Sequence, residues 1–310
     1  MKKTECFKIR LYDKPIDSSW MKIGGGEHEV LTIPCESDGG RNPIIIVADP
    51  FLYEHHDELF LFYEEKRLLT PGILRMMHTK DLKSWSEPIT VLQEPFHLSY
   101  PFVFEDNNKV YMIPETCKAG EVRLYQADND DLTSFSQVSV LMGKDTVEHV
   151  TIDYSDSSVL KHDGKYYLMT TREIDFVNHL YLYVSDNLTG PYSAHPLSPV
   201  CASRKFGRNA GSLIQYNGKL FRVAQDCENR YGDNVLLMEV QEMNEQHYRE
   251  VLVWENIYDT TIPFYKEGGH QLNIVEYNGR LVIATDAKEY HPFLITRVRN
   301  IISKRLSGRH

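Results

Sequence analysis

Helical periodicity is almost absent from this chain; only the segment around Glu242 to Arg249 has a pattern suited to a turn or two. The apolar runs are short and rich in aromatic and β-branched residues, which suit strands. None approaches the roughly 18 apolar residues of a membrane-crossing helix, so no transmembrane segment is expected. Lys2-Lys3 is not followed by an apolar segment, so a secretory signal peptide is not expected either. Cysteine is sparse: five residues (Cys6, Cys35, Cys117, Cys201, Cys227), an odd number with no paired spacing. That usage points to a reducing, cytoplasmic setting and argues against a disulfide framework and a structural zinc site. Positive charge is also short. The net charge is -10 and no basic stripe is interleaved with aromatics, which excludes nucleic acid as an expected partner. Arg297, Arg299, Lys304, Arg305 and Arg309 gather near the C-terminal end, as in an ordinary solvated terminus.

What the chain does contain is a repeat. Residues 49–64, from Asp49-Pro50-Phe51 to Phe62-Tyr63-Glu64, align without a gap on residues 100–115, from Tyr100-Pro101-Phe102 to Ile113-Pro114-Glu115. Each copy is an apolar run, a polar turn and a second apolar run, the pattern of a β-hairpin. Further copies occupy 156–171, 210–225 and 271–286, so the starts are spaced by 51, 56, 54 and 61 residues. Asp163-Gly164, Asn217-Gly218 and Asn278-Gly279 close the last three hairpins and supply the positive φ angles that tight turns need.

A weaker pattern completes the unit. Ile73–His78 and Ile89–Leu92 follow the first hairpin, and Val122–Ala127 and Val138–Leu141 follow the second. Four strands per unit and five units predict an all-β, five-bladed β-propeller forming one domain over residues 1–310. The segment before Arg41, including Phe7-Lys8-Ile9-Arg10-Leu11, is expected to supply a strand that closes the ring.

In such a ring the start of each inner strand faces the central funnel. Those positions are Asp49, Tyr100, Asp156, Ala210 and Gln271, preceded by Ala48, Ser99, Ser155, Asn209 and His270. The second strand returns to the same rim about 4.8 Å further out, at Glu64, Glu115, Thr171, Gln225 and Asp286, with Asp226 next to Gln225. The candidate catalytic residues are therefore Asp49, Asp156, Glu115 and Asp226, and the candidate substrate-binding residues Tyr100, Arg208, Asn209, Gln225 and His270. Each has a plainer reading. Asp49-Pro50 is a common turn starter, but a carboxylate ending the run Ile44–Ala48 is costly without a task or partner. Asp156 lies among turn-forming residues, Glu115 has Lys118 and Arg123 nearby, and a lone histidine such as His270 is more often a hydrogen-bonded interior residue. Arg208 and Arg222 also suit pins between blades. Convergence on repeat-equivalent positions lifts the group above its members.

Ala48-Asp49-Pro50 on the first inner strand and Asp156 on the third resemble the five-bladed propellers of glycoside hydrolase family 43. That resemblance implies Asp49 as general base and Asp156 as the carboxylate that tunes a pKa. The family's acid, a glutamate on the fourth blade, has no counterpart in Arg208-Asn209-Ala210-Gly211, so leaving-group protonation lacks an obvious source. His270 resembles in position a histidine that helps hold a central cation there, and a calcium ion near it is compatible with the sequence. No metal-ligand spacing supports one.

Further motifs are Ala48-Asp49-Pro50-Phe51, Ser99-Tyr100-Pro101-Phe102-Val103-Phe104-Glu105, Tyr111-Met112-Ile113-Pro114-Glu115, Gly120-Glu121-Val122-Arg123-Leu124-Tyr125, and Ala224-Gln225-Asp226-Cys227 followed by Tyr231-Gly232, and the resemblance they carry covers nearly the whole chain. These resemble the N-terminal propeller of plant glucosamine inositolphosphorylceramide transferases and of bacterial proteins linked to surface-polysaccharide synthesis. The plant members carry a separate transferase domain for which 310 residues leave no room, so the resemblance implies a carbohydrate context more firmly than a reaction. Three readings stay open: an enzyme acting at a glycosidic bond by transfer or hydrolysis, a non-catalytic glycan or sugar-nucleotide binding module, and a scaffold without a small-molecule site. The first places Asp49 as base, Asp156 as its electrostatic partner and Glu115 or Asp226 as a displaced acid. An anionic leaving group would need no strong acid, and Arg208 would stabilise its charge.

Overall fold

The computed structural model describes residues 4–16, 23, 27–36, 42–143 and 153–291. The basic C-terminal cluster lies outside these residues. Strand β1 (Thr4–Pro15) and strand β2 (His28–Ile33) precede the first complete blade, β3 (Ile44–His55), β4 (Glu58–Arg67), β5 (Ile73–Thr79) and β6 (Ile89–Leu92). The second blade is β7 (Ser99–Asp106), β8 (Lys109–Glu115), β9 (Val122–Ala127) and β10 (Phe135–Met142). The third is β11 (Ser155–His162), β12 (Lys165–Ile174), β13 (Val177–Ser185) and the short β14 (Ser193–Ala194), with β15 (Cys201–Ala202) also paired to β13. In the fourth, the inner strand is split into β16 (Arg208–Asn209) and β17 (Ile214–Tyr216), followed by β18 (Lys219–Asp226), β19 (Asn234–Met243) and β20 (Tyr248–Trp254). The fifth joins both ends of the chain in the order β2-β1-β22-β21, where β21 is Leu272–Tyr277 and β22 is Arg280–His291. The protein is a five-bladed β-propeller with antiparallel pairing throughout the blades; three sheets have four strands and two have a short fifth. Helix is confined, among the described residues, to two 3₁₀ turns, Cys117–Ala119 and Pro263–Tyr265. No helix is long and apolar enough to cross a membrane among those residues.

The turns explain the hairpins. Each inner hairpin closes on two residues with positive φ: His56 and Asp57, Asn107 and Asn108, Asp163 and Gly164, Asn217 and Gly218, Asn278 and Gly279. Two consecutive left-handed residues give the turn whose twist matches antiparallel strands. The first two copies do this with histidine, aspartate and asparagine instead of glycine. The segment from Glu242 to Arg249 forms the β19–β20 hairpin, not a helical turn. Asn244 Oδ1 accepts from the Gln246 and His247 N–H groups, 2.9 Å each, and its own N–H donates to His247 O. This asparagine turn competes with helix.

Ring closure is made by the chain's first strand. β1 pairs with β22 along its whole length, from Thr4 opposite His291 to Pro15 opposite Arg280. Ile9 and Leu11 are fully buried in the core between the fifth and first blades, against Val47, Leu61 and Val282. Ile9→Ala should therefore cost about 2–5 kcal/mol in urea unfolding. A loss below about 1 kcal/mol would place β1 outside the cooperative core.

Candidate active site

The repeat-equivalent positions share an unusual backbone. Asp49, Tyr100 and Asp156 have φ of 53°, 48° and 52°. Each sits in a bulge where pairing slips by one residue: between Ala48 and Phe51, Ser99 and Phe102, and Ser155 and Ser158. Bulges re-aim side chains near functional sites, and left-handed non-glycine residues hold strain that the surrounding structure must sustain. The fourth blade corrects the sequence alignment by one residue. Arg208 pairs with Gln225 as Ala48 pairs with Glu64, so Asn209, not Ala210, is the counterpart of Asp49. Extra residues between β16 and β17 cause the slip, and Gly211 fits there because a Cβ would lie 2.0 Å from Leu272 O.

Asp49 is the hub. Its Oδ2 accepts from the Tyr100 N–H at 3.0 Å, and its Oδ1 is 3.3 Å from His270 Nε2. The other imidazole nitrogen, Nδ1, is 2.7 Å from Asp286 Oδ2. Asp286, fully buried, also accepts from the N–H groups of His270, Gln271 and Asp49. The imidazole is thus held between two carboxylates, with Phe7 at 4.6 Å and Tyr231 at 5.3 Å between ring centroids. The preceding glycines make this possible: Gly268 has φ +84°, and a Cβ on Gly269 would lie 2.3 Å from Asp286 O.

A second pair faces the first. Arg208 Nε is 2.7 Å from Asp156 Oδ2, and its guanidinium lies 5.2 Å from the Tyr231 ring centre. The guanidinium Nη groups make no hydrogen bond to a described residue. Asn209 braces the pair by donating Nδ2–H to Asp156 O at 2.8 Å. Asp49, Asp156 and His270 are buried, whereas Tyr231 is 41 % exposed, so Tyr231 and Arg208 form the accessible edge of the cluster.

Burial dominates the electrostatics. It pushes Asp49 up to about 6, opposed by His270 and reinforced by Asp286. It pushes Asp156 up to about 7 against the pull of Arg208. Glu64 is raised well above the carboxylate range by burial and then by the Asp49 charge. For His270 burial acts downward, but Asp286 and Asp49 outweigh it and the pKa is raised. All four groups hold protons more tightly in the folded state. Their contribution is therefore full below the unfolded values and is lost as pH rises through the folded ones. For the two aspartates, stability should fall between about pH 4 and pH 7, and less steeply in Asp49→Asn/Asp156→Asn. Equal slopes in pH-resolved urea titrations would refute the raised carboxylates.

The structure gathers most of the candidates. Glu115 is half-buried, accepts from the Cys117 thiol at 3.2 Å, and is close enough to act electrostatically on Asp49 and Asp156. Gln225 is buried and accepts from the Cys227 thiol at 2.8 Å. Tyr100 is a central brace, its hydroxyl bonded to Ser158 Oγ at 3.1 Å and Gly211 O at 2.9 Å. Asp226 stands apart: its charged neighbours are Lys205, Asp233 and Glu228. Arg222 pins the fourth blade through Glu250, at 2.6 Å. The repeat places Asp286 and Glu64 at the rim without marking a task for either, and nothing in the sequence signals the contact of Phe7 and Tyr231 with His270.

Asp49, His270 and Asp286 present ligand-type atoms within 4.8 Å of one another. Calcium takes about 6–8 oxygens, whereas both imidazole nitrogens here face carboxylates. The two carboxylates raise the pKa of His270, so the imidazole competes with a cation for them.

Residues 27–276 match the family described as glucosamine inositolphosphorylceramide transferase 1, N-terminal. Glucosamine inositolphosphorylceramide transferase 1 of Oryza sativa subsp. japonica is 37% identical over 237 residues, 72% of this chain and 30% of that protein. The protein of that name from Arabidopsis thaliana is 32% identical over 253 residues, 77% of this chain and 32% of that protein. The chain thus spans about a third of the length of these relatives. Among solved structures, an α-L-arabinofuranosidase of Clostridium thermocellum ATCC 27405 has a TM-score of 0.53 at 17% identity, over 76% of this chain and 80% of that one, a likeness of fold. By the extent of the family match, this chain belongs to the family of the N-terminal region of glucosamine inositolphosphorylceramide transferase 1.

Proposed function

We propose that this propeller acts at a glycosidic bond, by sugar transfer or hydrolysis, in surface glycan or glycolipid metabolism. The observation that carries the reading is the buried, strained Asp49, bridged through His270 to Asp286. A carboxylate raised to about 6 suits a general base near neutral pH, taking the proton of an acceptor hydroxyl or water. For a neutral leaving oxygen the acid would be Glu64, whose pKa burial raises well above its ordinary value; Glu115 is the alternative. Asp226 is set aside because its neighbours lie elsewhere. The relatives are named for an amino sugar and an inositol-phosphate glycolipid, and these two substrate classes are the first to offer.

A second reading, a non-catalytic glycan or sugar-nucleotide module, is favoured by one observation. Strand β16 carries Arg208 and Asn209 and no carboxylate where a propeller glycosidase would place its acid. Incubating the protein with sugar nucleotides, sugar phosphates and neutral oligosaccharides separates the readings. Product detected by mass spectrometry and lost in Asp49→Asn supports catalysis. Saturable binding without product in any class supports the module.

A further inference from the structure

The seam where the two ends of the chain meet carries a second group of reactive side chains. Cys6 on β1 stands opposite Glu289 of β22, and Thr4 stands opposite His291. Side chains alternate along a strand, so Cys6, Glu289 and His291 share one face of this sheet while Phe7 turns its ring to His270 on the other. Cys35, in the segment after β2, comes over the first face. Its Sγ is 2.9 Å from Glu289 Oε1 and 3.7 Å from His291 Nε2. His291 Nε2 is 2.6 Å from the same Glu289 oxygen. Ligand atoms of Cys6, Cys35 and His291 all lie within 4.8 Å of one another, and both cysteines are buried.

We infer that Cys6, Cys35 and His291, with Glu289 as fourth ligand, form a site for a thiophilic divalent cation of the zinc class, which clamps the seam of the ring. Two sulfurs, one imidazole and one carboxylate are a donor set that zinc favours. Bonds of about 2.3 Å to sulfur and 2.0–2.1 Å to nitrogen or oxygen separate tetrahedral ligands by roughly 3.3–3.8 Å. The Cys35–His291 separation of 3.7 Å already meets this, and the Glu289 oxygen has to move outward by less than about 1 Å. Charge closes as well. Two thiolates and a carboxylate exceed a dication by one negative charge, and Lys8 Nζ lies 2.8 Å from Glu289 Oε2. Simple packing accounts for the thiols, which touch Ile45, Ile46 and Leu68. It does not account for an imidazole and a carboxylate converging on one of them. The absence of paired cysteine spacing conceals the site because its ligands come from three separate segments. Binding would tie β1, the segment entering the first blade and β22 into one unit, and would stabilise the fold by linkage.

The test uses the full chain, reduced and treated with chelator, then titrated with Co²⁺ or Zn²⁺ alone. One equivalent of Co²⁺ should produce thiolate-to-cobalt charge transfer and the intense visible bands of a tetrahedral centre, and Zn²⁺ should displace it and raise the Tm. Cys6→Ser and Cys35→Ser should each weaken Co²⁺ binding by on the order of 100-fold, while Cys201→Ser leaves it unchanged. The wild-type titration needs no variant to fold. No cobalt spectrum from folded protein with all thiols reduced would overturn the inference. So would an octahedral, sulfur-free spectrum, or a signal insensitive to both cysteine substitutions.

Discussion

Asp49→Asn should lower turnover by about 10²–10⁴-fold, the usual contribution of a positioned base, and leave stability at neutral pH unchanged or slightly higher. The two halves of this expectation have one cause. Asp49 is buried, and its ionised form at pH 7 is maintained against desolvation by His270 and the Tyr100 N–H. The amide keeps the shape and still accepts from Tyr100, but it cannot accept a proton in the reaction. His270 remains held through Nδ1 by Asp286. Product formation and urea unfolding, measured on the same preparations at pH 5 and pH 8, check both halves. Wild-type turnover with a loss of several kcal/mol would make Asp49 a structural residue of the bulge.

Legibility in the sequence followed the range of the interactions. The hairpins were readable because their signals are local: alternation, and turn residues that accept positive φ. The inner-strand starts were readable because three copies preserve one bulge, so Asp49, Tyr100 and Asp156 align in sequence and adopt the same backbone. The fourth copy is offset by one residue from the sequence alignment because its extra length, within Ala210-Gly211-Ser212-Leu213, sits inside the strand and leaves no visible gap. The repeat puts Asp286 at the rim, but its role as the anchor of His270 depends on contacts between the residues leading into β21 and β22, which no local pattern carries. Asp226 adjoins Gln225 in sequence, but neighbouring strand residues point to opposite faces, and its charged neighbours are Lys205, Asp233 and Glu228. Gathering Cys6, Cys35 and His291 requires ring closure, which no local pattern announces.

Arg208→Ala should destabilise the protein by about 3–5 kcal/mol, because it strands Asp156 as an unpaired buried carboxylate. Arg208→Ala/Asp156→Asn should recover most of that loss, which urea titration of the two variants will show. The pair also bears on ligand class. Arg208 contacts Asp156 through Nε, and its guanidinium carbon lies 5.2 Å from the ring centre of Tyr231, which is exposed. A guanidinium cannot protonate the leaving oxygen of an alkyl glycoside at neutral pH. It can bind a phosphate through two parallel hydrogen bonds, and a phosphate or nucleotide departs as an anion without an acid. Sugar phosphates and sugar nucleotides should therefore bind more tightly than neutral oligosaccharides. Arg208→Lys, which retains the charge beside Asp156 but loses the planar fork, should reduce that preference by about tenfold, or 1.4 kcal/mol. Calorimetry with the two ligand classes on wild type and Arg208→Lys measures the difference without depending on the destabilised alanine variant. Neutral glycans binding equally well or better, with no change in Arg208→Lys, would remove the anionic leaving group and return the fourth-blade arginine to a purely structural pairing with Asp156.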